Sequence, residues 1–548
     1  MVMNRRPSKL LLCLLIFVLL PLSNLGTLAA QAPALPTKPV PGEGAAGEWL
    51  GSLSVGAAKL RLGLHVEKKE DGSLGAVLDS IDQGAKIPVD TVVFESRTLR
   101  LALKAIGASY DGTLNADGSV LEGTWSQGAQ KLPLAFHRLE QAFALRRPQL
   151  PQGPFPYESR EVTFRSEAGN VRLAGTLVLP EGKGPFPAVA LVSGSGPQDR
   201  DESLMSHKPF LVLADALARR GIASLRWDDR GTAASEGDHF GSTVDDFAAD
   251  ARAAVAFLRS RPEMDRNAIG IVGHSEGGLI APIVAATEKS DKSVAFLVLL
   301  APPGEPLRSL LLRQVRALYR LQGVSPALLD RALAAQSEDL DLIADPAVNV
   351  DRLQEILRER ATLRRTRFTD EERAQLRIDA AAIERGIETA KTPWFRSLVR
   401  QDPAVYLRQV KIPVLALFGD KDLQVDAQVN AEAVRSALAA PGNPHGEVRI
   451  LPGLNHLFQH AKTGGFEEYA TIEETFAPEA LATIGDWITA RRLSTGASLQ
   501  VSSPSPEMSF FRGNRVSRCQ IDLSETEIEF PGAKSTSPSP KSSFPAPD

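Results

Sequence analysis

Cysteine is almost missing from this chain: 548 residues carry two, Cys13 and Cys519. So few thiols exclude a disulfide framework and a Cys-based zinc module. The eight histidines include no His-Glu-x-x-His pair, which excludes the helical zinc-peptidase motif. An excess of one charge is lacking too, because 62 Lys+Arg stand against 66 Asp+Glu for a net −4 at pH 7. That balance points to no nucleic-acid or other polyanionic partner. With 43% hydrophobic and 23% charged residues, the composition is that of an ordinary globular protein.

The N-terminus reads as an address. Arg5, Arg6 and Lys9 precede the apolar run Leu10 to Leu20, followed by Pro21, Ser23, Asn24 and the small residues Ala29 and Ala30. This order describes a secretory signal over residues 1–30, cleaved near Ala30, and places the protein in the periplasm or outside the cell. The run falls short of the roughly 20 apolar residues of a membrane helix, so no stable span is expected after cleavage. Cys13 follows Leu11 and Leu12 rather than a small residue, so it is no lipid-anchor site.

Residues 31–48, rich in Pro, Gly and Ala, form a linker. Over 49–140 the pattern turns to period two, with Leu60, Leu62, Leu64 and Val66 on one face, then Leu99, Leu101 and Leu103. Asp71-Gly72, Asp111-Gly112 and Asp117-Gly118 fall between runs, the signature of hairpin turns, so a small antiparallel β-domain is expected, sandwich or barrel. No cluster of ionisable or aromatic side chains marks a pocket in it, and a docking or stabilising module is the simpler reading.

From 155 to 491 short Val/Ile/Leu/Ala strands alternate with helices: Ala188 to Val192, Ala223 to Arg226, Ile269 to Val272, Val294 to Leu300, Val414 to Phe418 and Val448 to Leu451. Near-continuous apolar strands of this kind build a mostly parallel α/β sheet covered on both faces. Residues from about 303 to 405 show helical spacing instead, with a stop at Gly323, a start at Ser325-Pro326 and a capping box at Thr369 and Glu372. Such an insertion reads as a helical lid, whose Arg358, Glu359, Arg360, Arg364 and Arg365 form a solvated face. Residues 492–548, with their Ser-Pro repeats, read as a disordered tail.

Chemistry concentrates at Gly273-His274-Ser275-Glu276-Gly277-Gly278, after one strand and before a helix. A tight strand-to-helix turn exposes a serine hydroxyl to a base, and glycines at 273 and 277 let the turn close. The order Ser, acid, His is then required. Gly419-Asp420-Lys421-Asp422 and Gly453-Leu454-Asn455-His456 each follow a strand, where parallel sheets place ligands. Asp422 is preferred as the acid, with Asp420 shaping the turn. His456 is the base, and His460, four residues on, has no carboxylate motif to make a metal pair with it. Ser195, in Ser193-Gly194-Ser195-Gly196-Pro197, and Glu276 supply backbone N–H groups for an oxyanion.

Gly-His-Ser-Glu-Gly-Gly, the run 194–201, Asp228-Asp229-Arg230-Gly231 and the late Gly-Leu-Asn-His together resemble an α/β-hydrolase of the bacterial exported esterase type, close to the serine aminopeptidase and prolyl-oligopeptidase-like branches. The likeness covers about residues 161–491. It implies a triad of Ser275, His456 and Asp422, an oxyanion loop at Ser195, a lid between the sixth and seventh strands, no cofactor, and a small ester substrate. One departure stands out: relatives often read Asp-Arg-Gly-x-Gly-x-Ser, and here the second glycine is Ala233, which puts the loop geometry in question. Two other readings are carried: a small lid-covered peptidase, since the same triad cleaves amides, and a binding protein without catalysis on a hydrolase scaffold.

Overall fold

The computed structural model describes residues 42–496, apart from 56–57, 82–84, 129, 142, 144, 288–293, 377, 379, 441–442 and 444. The export signal, nearly all of the linker, both cysteines and nearly all of the tail lie outside the described residues.

Nine strands make the first sheet: β1 (Gly47–Val55), β2 (Ala58–Lys68), β3 (Leu74–Ser80), β4 (Ala85–Pro88), β5 (Thr91–Glu95), β6 (Thr98–Leu103), β7 (Ala108–Leu114), β8 (Val120–Gln127) and β9 (Gln130–Leu139). All neighbours are antiparallel, and β9 returns to pair with β1, which leaves β4 and β5 at the two ends. Alternate residues point inward, as in β7, so one face packs Trp49, Leu64, Tyr110, Trp125 and Phe136 into a core. The buried Tyr110 hydroxyl donates to the Leu121 carbonyl at 2.9 Å, which satisfies its polar end.

Gly72 (φ +82°) and Gly118 (φ +74°) occupy left-handed turn positions, as their Asp-Gly pairs predict. The third pair is a correction. Asp111-Gly112 lies inside β7, with Gly112 opposite Gly123 of β8. A Cβ at 112 would sit 2.2 Å from the Tyr110 hydroxyl oxygen, so this glycine makes room for a core tyrosine rather than a turn.

The second sheet has eight strands: β10 (Glu158–Arg165), β11 (Arg172–Leu179), β12 (Phe186–Val192), β13 (Ala223–Trp227), β14 (Met264–His274), β15 (Leu297–Leu300), β16 (Val414–Gly419) and β17 (Gly446–Leu451). Their order is β10-β11-β13-β12-β14-β15-β16-β17. The pairs β10/β11 and β11/β13 are antiparallel and the rest parallel. Every residue of β12, β13, β15 and β16 is buried, because helices cover both faces.

Helix α1 (Pro209–Ala218) covers one face, while α2 (Val244–Ser260) and α3 (Glu276–Thr287) pack on the other. Thr243 caps α2 in a reciprocal box with Asp246. Between β15 and β16 the chain makes α4 (Leu307–Leu321), α5 (Pro326–Ala344), α6 (Val350–Arg367), α7 (Asp370–Gln375), α8 (Ala380–Ala390), α9 (Pro393–Val399) and α10 (Pro403–Leu407). Ser325, Asn349, Thr369 and Thr392 cap four of them with their side chains. Helices α11 (Ala427–Ala439), α12 (Phe466–Tyr469) and α13 (Pro478–Gly496) follow, α13 packing beside α1.

On the charged face of α6, Arg358, Glu359 and Arg365 are exposed as expected, but Arg360 and Arg364 need correction. Arg360 and Arg364 both reach Asp339 of α5, whose side chain is fully buried. A buried carboxylate without a cation is costly, so these two half-buried arginines are partners of Asp339 rather than solvated decoration.

Candidate active site

At the end of β14 the chain turns sharply, placing Ser275 at φ +53° and launching α3 from the next residue. That conformation strains a residue with a side chain, and the turn is kept because nothing larger than glycine fits beside it. A Cβ on Gly273 would lie 2.1 Å from the Gly277 carbonyl oxygen, and one on Gly277 would lie 2.2 Å from that of Val192. Backbone bonds from Ser275 to Leu300 and from Gly278 to Ser275, both 2.8 Å, hold the turn. Ser275 itself stays partly exposed.

The loops after β16 and β17 bring Asp422 and His456 together. Asp422 Oδ2 accepts from His456 Nδ1 at 2.7 Å, and both residues are buried. The other oxygen, Oδ1, accepts from the Gln424 and Val425 N–H groups at 2.7 and 2.9 Å, which fixes the carboxylate plane. Asp420 is exposed and accepts from the Gly453 N–H at 2.6 Å, so it joins the two loops instead of touching the imidazole. His460 pairs at the surface with Glu474 and Glu479. Among the described residues no group of three or more His, Cys, Asp or Glu is arranged to hold a metal ion.

Ser275 and His456 line one cleft with Gly194, Ser195, Leu457 and Phe466. The Ser195 N–H makes no hydrogen bond among the described residues, and the Glu276 N–H, first in α3, has no acceptor within the helix. Two unoccupied donors beside a partly exposed serine suit an anionic oxygen. The neighbouring Gly194 N–H is already taken, donating to Glu202 Oε1 at 2.7 Å.

The Glu276 side chain turns the opposite way, into the protein, where the Trp394 indole of α9 donates to its two oxygens at 3.1 and 3.3 Å. Burial pushes this carboxyl up to about 7, against the lowering effect of the Trp394 bond. Asp229 behaves similarly: desolvation holds it well above the usual range although the Gln198 N–H and Ser193 hydroxyl donate to it. In the same loop Arg230 makes a two-pronged pair with Asp250 at 2.6 and 2.7 Å. Ala233, where the resemblance leads one to expect glycine, sits at φ +45°, so the left-handed turn is retained despite the methyl group.

Several residues of this site escape a reading by motif. Glu202, His274 and Trp394 touch its working parts, yet only His274 lies within the motif around Ser275. Gln424, two residues after Asp422, lies beside the motif that carries that acid.

The family model described as serine aminopeptidase, S33, matches residues 206–461. Esterase EstD of Thermotoga maritima is 29% identical over 305 residues, 56% of this chain and 61% of that protein. The uncharacterized protein PA2218 of Pseudomonas aeruginosa is 33% identical over 138 residues, 25% of this chain and 36% of that one. The chain thus matches less than two thirds of the length of either relative. Among solved structures, the Pyrococcus furiosus esterase Pf2001 aligns with a TM-score of 0.37 and 16% identity, covering 64% of this chain and 98% of that one.

Proposed function

We propose that the chain is an exported serine hydrolase of the α/β-hydrolase superfamily that cleaves carboxylic esters through an acyl-enzyme intermediate, a reading supported by the family-model match over residues 206–461 and the likeness to EstD. The observation that carries this reading is the 2.7 Å Asp422–His456 bond in a cleft shared with the strained Ser275.

His456 takes the hydroxyl proton as Ser275 Oγ attacks the ester carbonyl carbon. The carbonyl oxygen becomes an oxyanion, received by the N–H groups of Ser195 and Glu276. Collapse of this intermediate breaks the bond to the alcohol oxygen, which leaves with the proton from His456. A water then attacks the acyl-serine, giving its proton to His456, and the acid departs as Ser275 regains its hydrogen. Asp422 keeps the imidazole in the tautomer with its proton on Nδ1 and stabilises the imidazolium. Export is supported by the residue order Arg5 to Ala30 alone.

Ester rather than amide chemistry is favoured by the name of the relative EstD, whereas the aminopeptidase description of the matching family favours a peptidase. Short-chain aryl esters and aminoacyl anilides assayed on one purified sample separate the two, and anilide preference would replace the first reading with the second. Labelling of Ser275 by a fluorophosphonate, abolished in Ser275→Ala, tests the nucleophile. A wild-type protein that takes no label would return the chain to the non-catalytic binding reading. Fractionation of expressing cells tests export.

A further inference from the structure

In the wall of the same cleft lie a buried acid and base, Glu202 and His274, that the acyl-transfer steps do not use. Glu202 is 6% exposed and holds a left-handed backbone, φ +54°. Its Oε1 receives the Gly194 N–H at 2.7 Å and lies 2.8 Å from His274 Nδ1. The opposite ring nitrogen of His274, Nε2, lies 3.0 Å from the backbone carbonyl oxygen of His456.

These contacts favour one arrangement of protons. A carbonyl oxygen only accepts, so His274 Nε2 carries a hydrogen. On the other side the same Glu202 oxygen that accepts from Gly194 faces Nδ1, and it serves both neighbours best as an ionised acceptor. His274 then donates from both nitrogens, which makes it an imidazolium paired with a carboxylate. Burial alone pushes this histidine down, but the charge of Glu202 and its hydrogen bond outweigh that and leave it above its ordinary value.

The three contacts join three separate loops. Gly194 precedes the oxyanion donor Ser195, His274 precedes the nucleophile Ser275, and the His456 carbonyl belongs to the base itself. Gly194 packs so closely that a Cβ there would lie 3.2 Å from Glu202 Oε1 and 3.3 Å from Ser275 Cβ. The rings of His274 and His456 are 4.8 Å apart.

We propose that Glu202 and His274 form a buried carboxylate–imidazolium pair that positions the oxyanion loop and the base against Ser275. Neither touches the reacting atoms, so both are positioning residues, and their role in catalysis rests on the serine-hydrolase reading above. Misplacing reacting groups by about 1 Å can cost on the order of a hundredfold in rate.

The test uses the full chain. In Glu202→Gln the amide oxygen can still accept from Gly194, but no charge balances the imidazolium. We expect kcat on an aryl ester to fall about 10- to 100-fold with KM within about twofold, and fluorophosphonate labelling to slow in parallel. Glu202→Asp, which restores the charge, should recover part of the loss. Independently of activity, wild-type protein with 15N-labelled histidine should show two ring N–H protons on one buried histidine, and both should vanish in His274→Gln. Wild-type kcat in Glu202→Gln, or a single ring proton on His274, would overturn the pair. Should Glu202→Gln fail to fold, the wild-type spectrum decides the matter. A wild-type chain inactive on every ester and unlabelled would remove the hydrolase reading, while the spectrum would still judge the pair.

Discussion

Asp422 and His456 stand 34 positions apart in the chain and 2.7 Å apart in space, joined through Oδ2 and Nδ1. Asp420, two residues before, is tied to Gly453 instead. The two aspartates are therefore separable by experiment. Asp422→Asn should leave the geometry intact but favour the wrong tautomer of His456, lowering kcat by about 10⁴-fold. Asp420→Ala should keep kcat near wild type and cost about 1 kcal/mol of stability for the lost loop bond. Steady-state kinetics and urea denaturation of both variants check the assignment, and reversed effects would exchange their roles.

The Glu276 carboxyl makes stability depend on pH in a defined direction. Its folded value, about 7, is above its ordinary 4.5, so the fold favours the protonated form. Folding is unpenalised below about pH 4.5, the penalty grows between 4.5 and 7, and it is complete above 7. Glu276→Gln, neutral at every pH and still able to accept from Trp394, should thus be more stable than wild type at pH 8, by up to about 3 kcal/mol. The gain should vanish near pH 4. Denaturation midpoints at the two pH values measure it.

Ala233 at φ +45° bears a left-handed conformation that a glycine would adopt freely. Ala233→Gly should stabilise the protein by up to about 1 kcal/mol, since a left-handed residue with a Cβ costs roughly 1–2 kcal/mol and glycine gives back some of that in chain entropy. A fall in melting temperature would show that the methyl group contributes packing that outweighs the strain.

In the N-terminal sheet, Gly112→Ala places a methyl group where the Tyr110 ring and hydroxyl lie. A loss of about 1–3 kcal/mol is expected from overpacking. Ala at Gly72, whose Cβ would meet nothing within 4 Å, tests a different cost, that of φ +82° alone. Chemical denaturation that shows Gly112→Ala to be harmless would mean that Tyr110 can shift to admit the methyl group and that the glycine is not needed for space.

The strands of the second sheet and the turn at Ser275 were legible because their evidence is local: an apolar run followed within a few residues by glycine, serine, aspartate or histidine. Partners distant in sequence were not. Glu202 meets His274 across 72 positions and Glu276 meets Trp394 across 118, and no periodicity records such pairings. Asp111-Gly112 misled because glycine serves both to turn a chain and to clear space for a neighbour. Arg360 and Arg364 looked solvated because their partner Asp339 lies on another helix. Hairpin β10/β11 has a half-exposed outer strand, β10, so the continuous apolar runs that mark the parallel strands are absent there.

The bond from Trp394 to Glu276 has an optical consequence. An indole whose N–H points at a carboxyl changes its emission when that carboxyl gains or loses charge, and here the carboxyl belongs to the residue adjoining Ser275. The inserted helices therefore carry a native fluorophore behind Ser275, able to report a change of charge at Glu276 without any attached dye.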